Sequence, residues 1–116
     1  AYVSPYAAEG FNLPALEAAA CGMPVICTAG GSTDDFTAAD FVLPIAAKEQ
    51  QVMINEAQGW LLVPSLESLI AQMTSAIERP DFAAQARSAG PRAVANGFLW
   101  SQVIDRLLQV LSPAQG

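Results

Sequence analysis

Apolar and polar positions in the first third of the chain fall into short blocks that alternate in period. Tyr2 to Ser4 reads as the end of a strand and Pro5 to Asn12 as a loop. Pro14 to Cys21 is an Ala-rich helix with proline in its first turn, where the missing N–H costs nothing, and Gly22 stops it. Pro24 to Thr28 is then a continuous apolar run of the kind buried parallel strands show, closed by the loop signal Gly30-Gly31. Strand, helix and strand in this order argue for a βαβ unit and a parallel sheet.

Further along, Thr33 to Phe36 fits one helical turn and Phe41 to Ile45 another strand. Residues 46 to 59 show no clear period and are expected to form a long, partly ordered connection before a short strand at Trp60 to Val63. Ser65 suits an N-cap, and Leu66, Leu69, Ile70, Met73 and Ile77 share one helical face that ends at Arg79-Pro80. Asp81 to Asn96 is helical in tendency, but Gly90-Pro91 is expected to kink or split it, and Asn96-Gly97 reads as a C-cap. Trp100, Val103, Ile104, Leu107, Leu108 and Leu111 mark a last amphipathic helix, ended by Pro113. There are no internal repeats.

Composition sharpens this picture. The chain has 116 residues, 53% hydrophobic and 14% charged, against roughly 25% charged in an ordinary soluble domain. That length allows one domain, and the apolar surplus calls for surface that faces something else. The chain opens directly on a strand, so residues 1–116 are expected to be one partial domain of a larger body, with self-association through its open surfaces when alone. Eleven acids against five basic residues give a net charge of -6, which argues against nucleic acid as a partner. Histidine is absent, which excludes Ser-His-Asp triads, Cys-His pairs and imidazole metal sites. Cys21 and Cys27 lack metal-ligand spacing and are expected to be two buried thiols, with no metal site. No apolar run of about 18 residues and no signal-peptide pattern is present.

The candidate chemistry lies between Glu9 and Glu17. A loop leaving a strand and entering a helix at Pro14 turns backbone N–H groups and the positive end of the helix dipole toward the strand's carboxyl end, where an anion fits. Glu9 and Glu17 can flank that position, and carboxylates accept well from vicinal hydroxyls. Phosphates in the middle with sugars at both ends describe a nucleotide sugar. Two other readings stay open: a glycoside hydrolase with Glu9 and Glu17 as acid and nucleophile, and a non-catalytic nucleotide-binding or interaction module.

The residues Glu9-Gly10-Phe11-x-Leu13-Pro14-x-Leu16-Glu17-Ala18-x-Ala20-Cys21-Gly22-x-Pro24-Val25-Ile26, followed by Gly30-Gly31, resemble the donor-site signature of the family 4 glycosyltransferases. The likeness is dense from Glu9 to Gly31 and continues in element order through Leu111. It implies a retaining transferase of the GT-B fold, an α/β protein of which this chain is the C-terminal half of the Rossmann-like donor domain. It further implies that Glu17 accepts from the ribose hydroxyls and Glu9, as the catalytic residue, from hydroxyls of the transferred sugar. The N–H groups of Gly10, Phe11, Asn12 and Leu13 would line sugar and diphosphate, without a metal or a cofactor other than the nucleotide-sugar donor. A sugar, lipid-linked or protein acceptor and a cytoplasmic or membrane-peripheral location are implied in the same way.

The chain departs from the family pattern at three places. Asn12 stands where glycine is usual, so its side chain either crowds the donor or caps the helix. Leu99 replaces the usual Ser or Thr before the last helix, and the stretch from Thr37 to Gln58 is longer than usual. Residues 1 to 47 contain five acids and no Lys or Arg. A diphosphate there would need cations from elsewhere, which the resemblance places upstream, and the chain alone is expected to be inactive.

Overall fold

A computed structural model of the chain describes residues 1–112. The elements run β1 (Tyr2–Ser4), α1 (Leu13–Ala20), β2 (Val25–Thr28), a 3-10 turn (Ser32–Asp35), β3 (Val42–Ile45), β4 (Ala47–Ile54), β5 (Ala57–Pro64), α2 (Leu66–Glu78), α3 (Pro80–Ala95) and α4 (Trp100–Leu111). Strands β1, β2 and β3 form a parallel sheet in that order, with Tyr2 opposite Val25 and Ile26 opposite Leu43. All four residues of β2 are buried, as the unbroken apolar run requires of a central parallel strand.

Strand alternation sorts the side chains onto two faces. Val25, Cys27 and Val42 pack with Ala15, Leu16 and Ala19 of α1 and with Ala86 and Ala89 of α3. On the other face Ile26, Leu43 and Ile45 meet Phe82, with Leu69 and Ala76 of α2 packed against them. The result is helix, sheet and helix in three layers, the partial Rossmann-like arrangement expected of the βαβ pattern.

Helix α3 runs without a break from Pro80 to Ala95, so Gly90-Pro91 does not split it. Gly90 is there for packing: a Cβ on it would press into the Ala19 carbonyl of α1. Pro91 withholds the N–H that the Arg87 carbonyl would accept in a regular helix. That carbonyl instead faces Gly22, where a Cβ would sit 2.8 Å from the oxygen, and Gly22 has the left-handed φ of 74° that ends α1. Cys27 is buried as expected, but Cys21, at the exposed C-cap of α1, is not.

The larger correction lies at residues 46 to 59, which are not a partly ordered connection. They belong to a regular antiparallel hairpin in which β4 and β5 pair from Ala47 with Pro64 to Ile54 with Ala57. The two turn residues, Asn55 and Glu56, have φ of 49° and 67°, as a type I′ turn demands at both central positions. Glutamate is a poor choice there, since the left-handed region costs an L-residue about 1–2 kcal/mol. Glu56→Gly should therefore stabilise the hairpin by up to about 1 kcal/mol after the entropy of glycine is deducted. Hydrogen exchange of the β4–β5 amides should slow accordingly, and unchanged exchange would contradict the turn.

Helix α4 follows Leu99, whose backbone N–H is accepted by the Gln102 side chain at 3.0 Å. That replaces half of a capping box, the other half being impossible for leucine. No residue of α4 is buried, and Trp100 is 78% exposed. The expected stop at Pro113 lies outside the described residues.

Candidate donor site

The site is built at the carboxyl ends of β1 and β2, where open α/β sheets hold their ligands. Residues after β1 are fastened to the loop after β2 by a compact polar cluster. The Tyr6 hydroxyl and the Thr33 Oγ1 lie 2.8 Å apart, and the Thr28 hydroxyl donates to the Tyr6 carbonyl at 2.7 Å. Gly31 lies so close to the Tyr6 ring that a Cβ would come within 2.6 Å of its hydroxyl. Beneath them the Cys27 thiol donates to Thr33 Oγ1 at 3.5 Å. Burial pushes that thiol's pKa up, the Thr33 hydrogen bond partly offsets this, and the Asp34 charge adds to it. Cys27 therefore stays a thiol at neutral pH and is a packing residue rather than a nucleophile.

Asn12 turns the loop into α1. Its φ of 69° and ψ of 60° place it in the left-handed region, which asparagine tolerates better than other side chains. The side chain is 5% exposed, and its Oδ1 accepts from Ala15 N at 3.3 Å while Nδ2 donates to Ser4 Oγ at 2.9 Å. Of the two outcomes for a non-glycine here, capping is the one observed. The cap and Pro14 also reduce what the helix start can offer an anion: Ala15 N is taken, and Pro14 has no N–H.

Glu9 and Gly10 form the exposed crest of the loop. The Gly10 N–H donates to Glu9 Oε1 at 2.9 Å, which leaves the second carboxylate oxygen for another partner. The N–H groups of Phe11, Asn12 and Leu13 have no acceptor among the described residues. Phe11 is anchored by its ring, 5.2 Å from Phe36 and 6.3 Å from Phe98, while Leu13 is 57% exposed. A Cβ at Gly10 would meet nothing within 4 Å, so the space over the crest is open.

Glu9 and Glu17 lie on different sides of this turn. Glu9 borders a cleft of about 260 Å³ shared with Tyr6, Gly31, Glu49, Trp60 and Leu62. Glu17 borders a more apolar groove of about 340 Å³ with Phe11, Leu13, Phe98, Trp100 and Val103. Neither is lined by Lys or Arg. Tyr6, Thr33, Glu49 and Trp60 escaped the sequence reading, because they converge from segments far apart in the chain. The clearest available signal was the polar pair Thr28 and Thr33 around Gly30-Gly31 in an otherwise apolar stretch.

The family model for glycosyl transferases group 1 matches residues 1–93, which spans β1 through most of α3. The chain belongs to that family. A search of curated proteins found no match. Membership makes this chain a glycosyl transferase portion with a donor and an acceptor to bind, and the parallel sheet with flanking helices is the α/β arrangement that such a portion requires. No helix among the described residues is long and apolar enough to cross a membrane. Among the same residues no three His, Cys, Asp or Glu side chains gather as metal ligands would.

Proposed function

We propose that this group 1 glycosyl transferase chain carries the donor-sugar side of a retaining transferase that uses a nucleoside diphosphate sugar. The observation that carries the reading is the loop between β1 and α1, where the amides of Phe11, Asn12 and Leu13 have no acceptor among the described residues and two exposed carboxylates flank them. The diphosphate would lie across those amides and the α1 dipole. The transferred sugar would lie toward Glu9 and the ribose toward Glu17. The leaving diphosphate would act on the departing side of an oxocarbenium-like transition state. A carboxylate pair on opposite sides of an amide turn suits a ligand with hydroxyls at both ends better than it suits a hydrolase acid and nucleophile, which must face one bond.

Five acids and no cation before Lys48 make this turn a poor diphosphate site by itself. The reading therefore includes an Arg and a Lys from another part of the protein, and a millimolar or weaker affinity of this chain alone for nucleoside diphosphate. Acceptor, nucleotide base and location follow from the rest of that protein.

The test is Glu17→Ala in the intact enzyme. Charge-assisted hydrogen bonds to ribose hydroxyls are worth about 1.5–3 kcal/mol each, so donor affinity should fall at least about tenfold. Folding should be unaffected, since Glu17 is exposed. With a 2′,3′-dideoxyribose donor the difference between wild type and Glu17→Ala should vanish; a difference that persists would remove Glu17 from the ribose.

A further inference from the structure

We infer that the β4–β5 hairpin completes a monosaccharide subsite against the Glu9 crest, with Trp60 as its stacking platform and Glu49 as a second hydroxyl acceptor. The inference rests on the donor-site reading above and adds to it a selectivity element.

Three observations carry it. The hairpin register sets Glu49 opposite Leu62 and Gln51 opposite Trp60, so these side chains share one face of the ribbon. The hairpin is fixed against the loops after β1 and β2: the Leu62 N–H at the edge of β5 donates to the Ala7 carbonyl at 2.8 Å, and the Leu62 side chain lies so close to Gly31 that a Cβ there would come within 2.9 Å of it. The cleft so formed brings Glu9, Glu49, Tyr6 and Trp60 together. Trp60 borders this cleft, and 64% of its surface as a whole is exposed.

The chemistry of the lining defines the occupant. Two carboxylates and no Lys or Arg disfavour a phosphate and favour a ligand that donates hydrogen bonds. An exposed indole beside them offers a face to aliphatic C–H groups. At about 260 Å³ the cleft lies just below the roughly 300–1,000 Å³ of sites for drug-sized ligands. It therefore suits one sugar ring and not a whole nucleotide sugar. Neutral or amino sugars meet these conditions, either as the transferred sugar of the donor or as the terminal sugar of an acceptor.

The experiment uses the intact enzyme, wild type and with Trp60→Ala, Trp60→Phe or Glu49→Gln. Dissociation constants are measured for free nucleoside diphosphates, for nucleotide sugars, and for methyl glycosides in the presence of saturating nucleoside diphosphate. Trp60→Ala should weaken one sugar-bearing ligand class about tenfold while free nucleoside diphosphate changes less than about twofold. Trp60→Phe should recover most of the loss, and Glu49→Gln should change the ranking among sugars. Loss with nucleotide sugars places the donor sugar in the cleft; loss with methyl glycosides places the acceptor there. If Trp60→Ala and Glu49→Gln leave both classes unchanged while nucleotide sugars still bind the wild type, the subsite is overturned and the donor reading stands. If the wild type binds neither nucleotide sugars nor nucleoside diphosphates, both are overturned.

Discussion

Glu9→Gln in the intact enzyme should lower kcat about 10- to 100-fold and leave the affinity for free nucleoside diphosphate within about twofold. Glutamine keeps an oxygen for the Gly10 N–H that Glu9 Oε1 now accepts at 2.9 Å, so the crest of the loop should hold its shape. What is lost is the negative charge on the oxygen facing the open side. A charge-assisted hydrogen bond from a sugar hydroxyl to that oxygen contributes about 1.5–3 kcal/mol, and each 1.36 kcal/mol of transition-state stabilisation is worth tenfold in rate. In the proposed placement the sugar and not the nucleotide meets Glu9, so the loss should appear in turnover with donor and not in binding of the leaving group. Equal losses in both quantities would make Glu9 a structural residue of the loop.

The first forty-five residues were legible because their information is local. An apolar run, an Ala-rich segment with proline at its start and glycine at its end, and a second apolar run each specify their element within a few residues. The hairpin was not legible for a physical reason. Most of β4 is exposed, from Lys48 to Gln51 and again at Met53 and Ile54, so it has no buried face to impose a period of two. Its turn uses Asn55-Glu56 where a glycine would have announced a type I′ geometry. Pro91 does not divide α3; its neighbour Gly90 and the Arg87 carbonyl lie against Ala19 and Gly22, contacts between segments 65 or more positions apart that no local pattern reports.

At the site the same division holds. Glu9 and Glu17 stand out from spacing and neighbours alone, and so does the choice facing Asn12 between capping and crowding. The separation of the two carboxylates into different cavities does not, since it depends on the hairpin packing beside Tyr6 and on Phe98 and Trp100 bordering the groove beside α1. Tyr6 and Thr33 needed the fold before they could be seen to tie two loops together across 27 positions.

Gly90→Ala should destabilise the packing of α1 on α3. Its Cβ would enter the Ala19 carbonyl and lie 3.1 Å from the Ala19 carbonyl carbon, and the nearest atoms are all Ala19 backbone, so no side chain can yield. Overpacking of this kind costs typically about 1–3 kcal/mol and occasionally more, and here backbone must move instead of a rotamer. The helix-propensity gain of alanine over glycine returns about 1 kcal/mol, so a net loss of up to about 2 kcal/mol is expected. At about 4–8 °C per kcal/mol for a small domain, the melting transition should fall by up to roughly 15 °C. Gly97→Ala is the control, because a Cβ there meets nothing within 4 Å and its melting point should stay within a few degrees of wild type. The effect should also reach the site, since α1 carries Glu17 and the Asn12 cap; forcing α1 off α3 moves both relative to the parallel sheet. Gly90→Ala should therefore weaken donor binding at temperatures well below its own melting point, where Gly97→Ala does not. A Gly90→Ala protein that melts with the wild type would mean that α1 and α3 do not cross as closely as their small residues indicate.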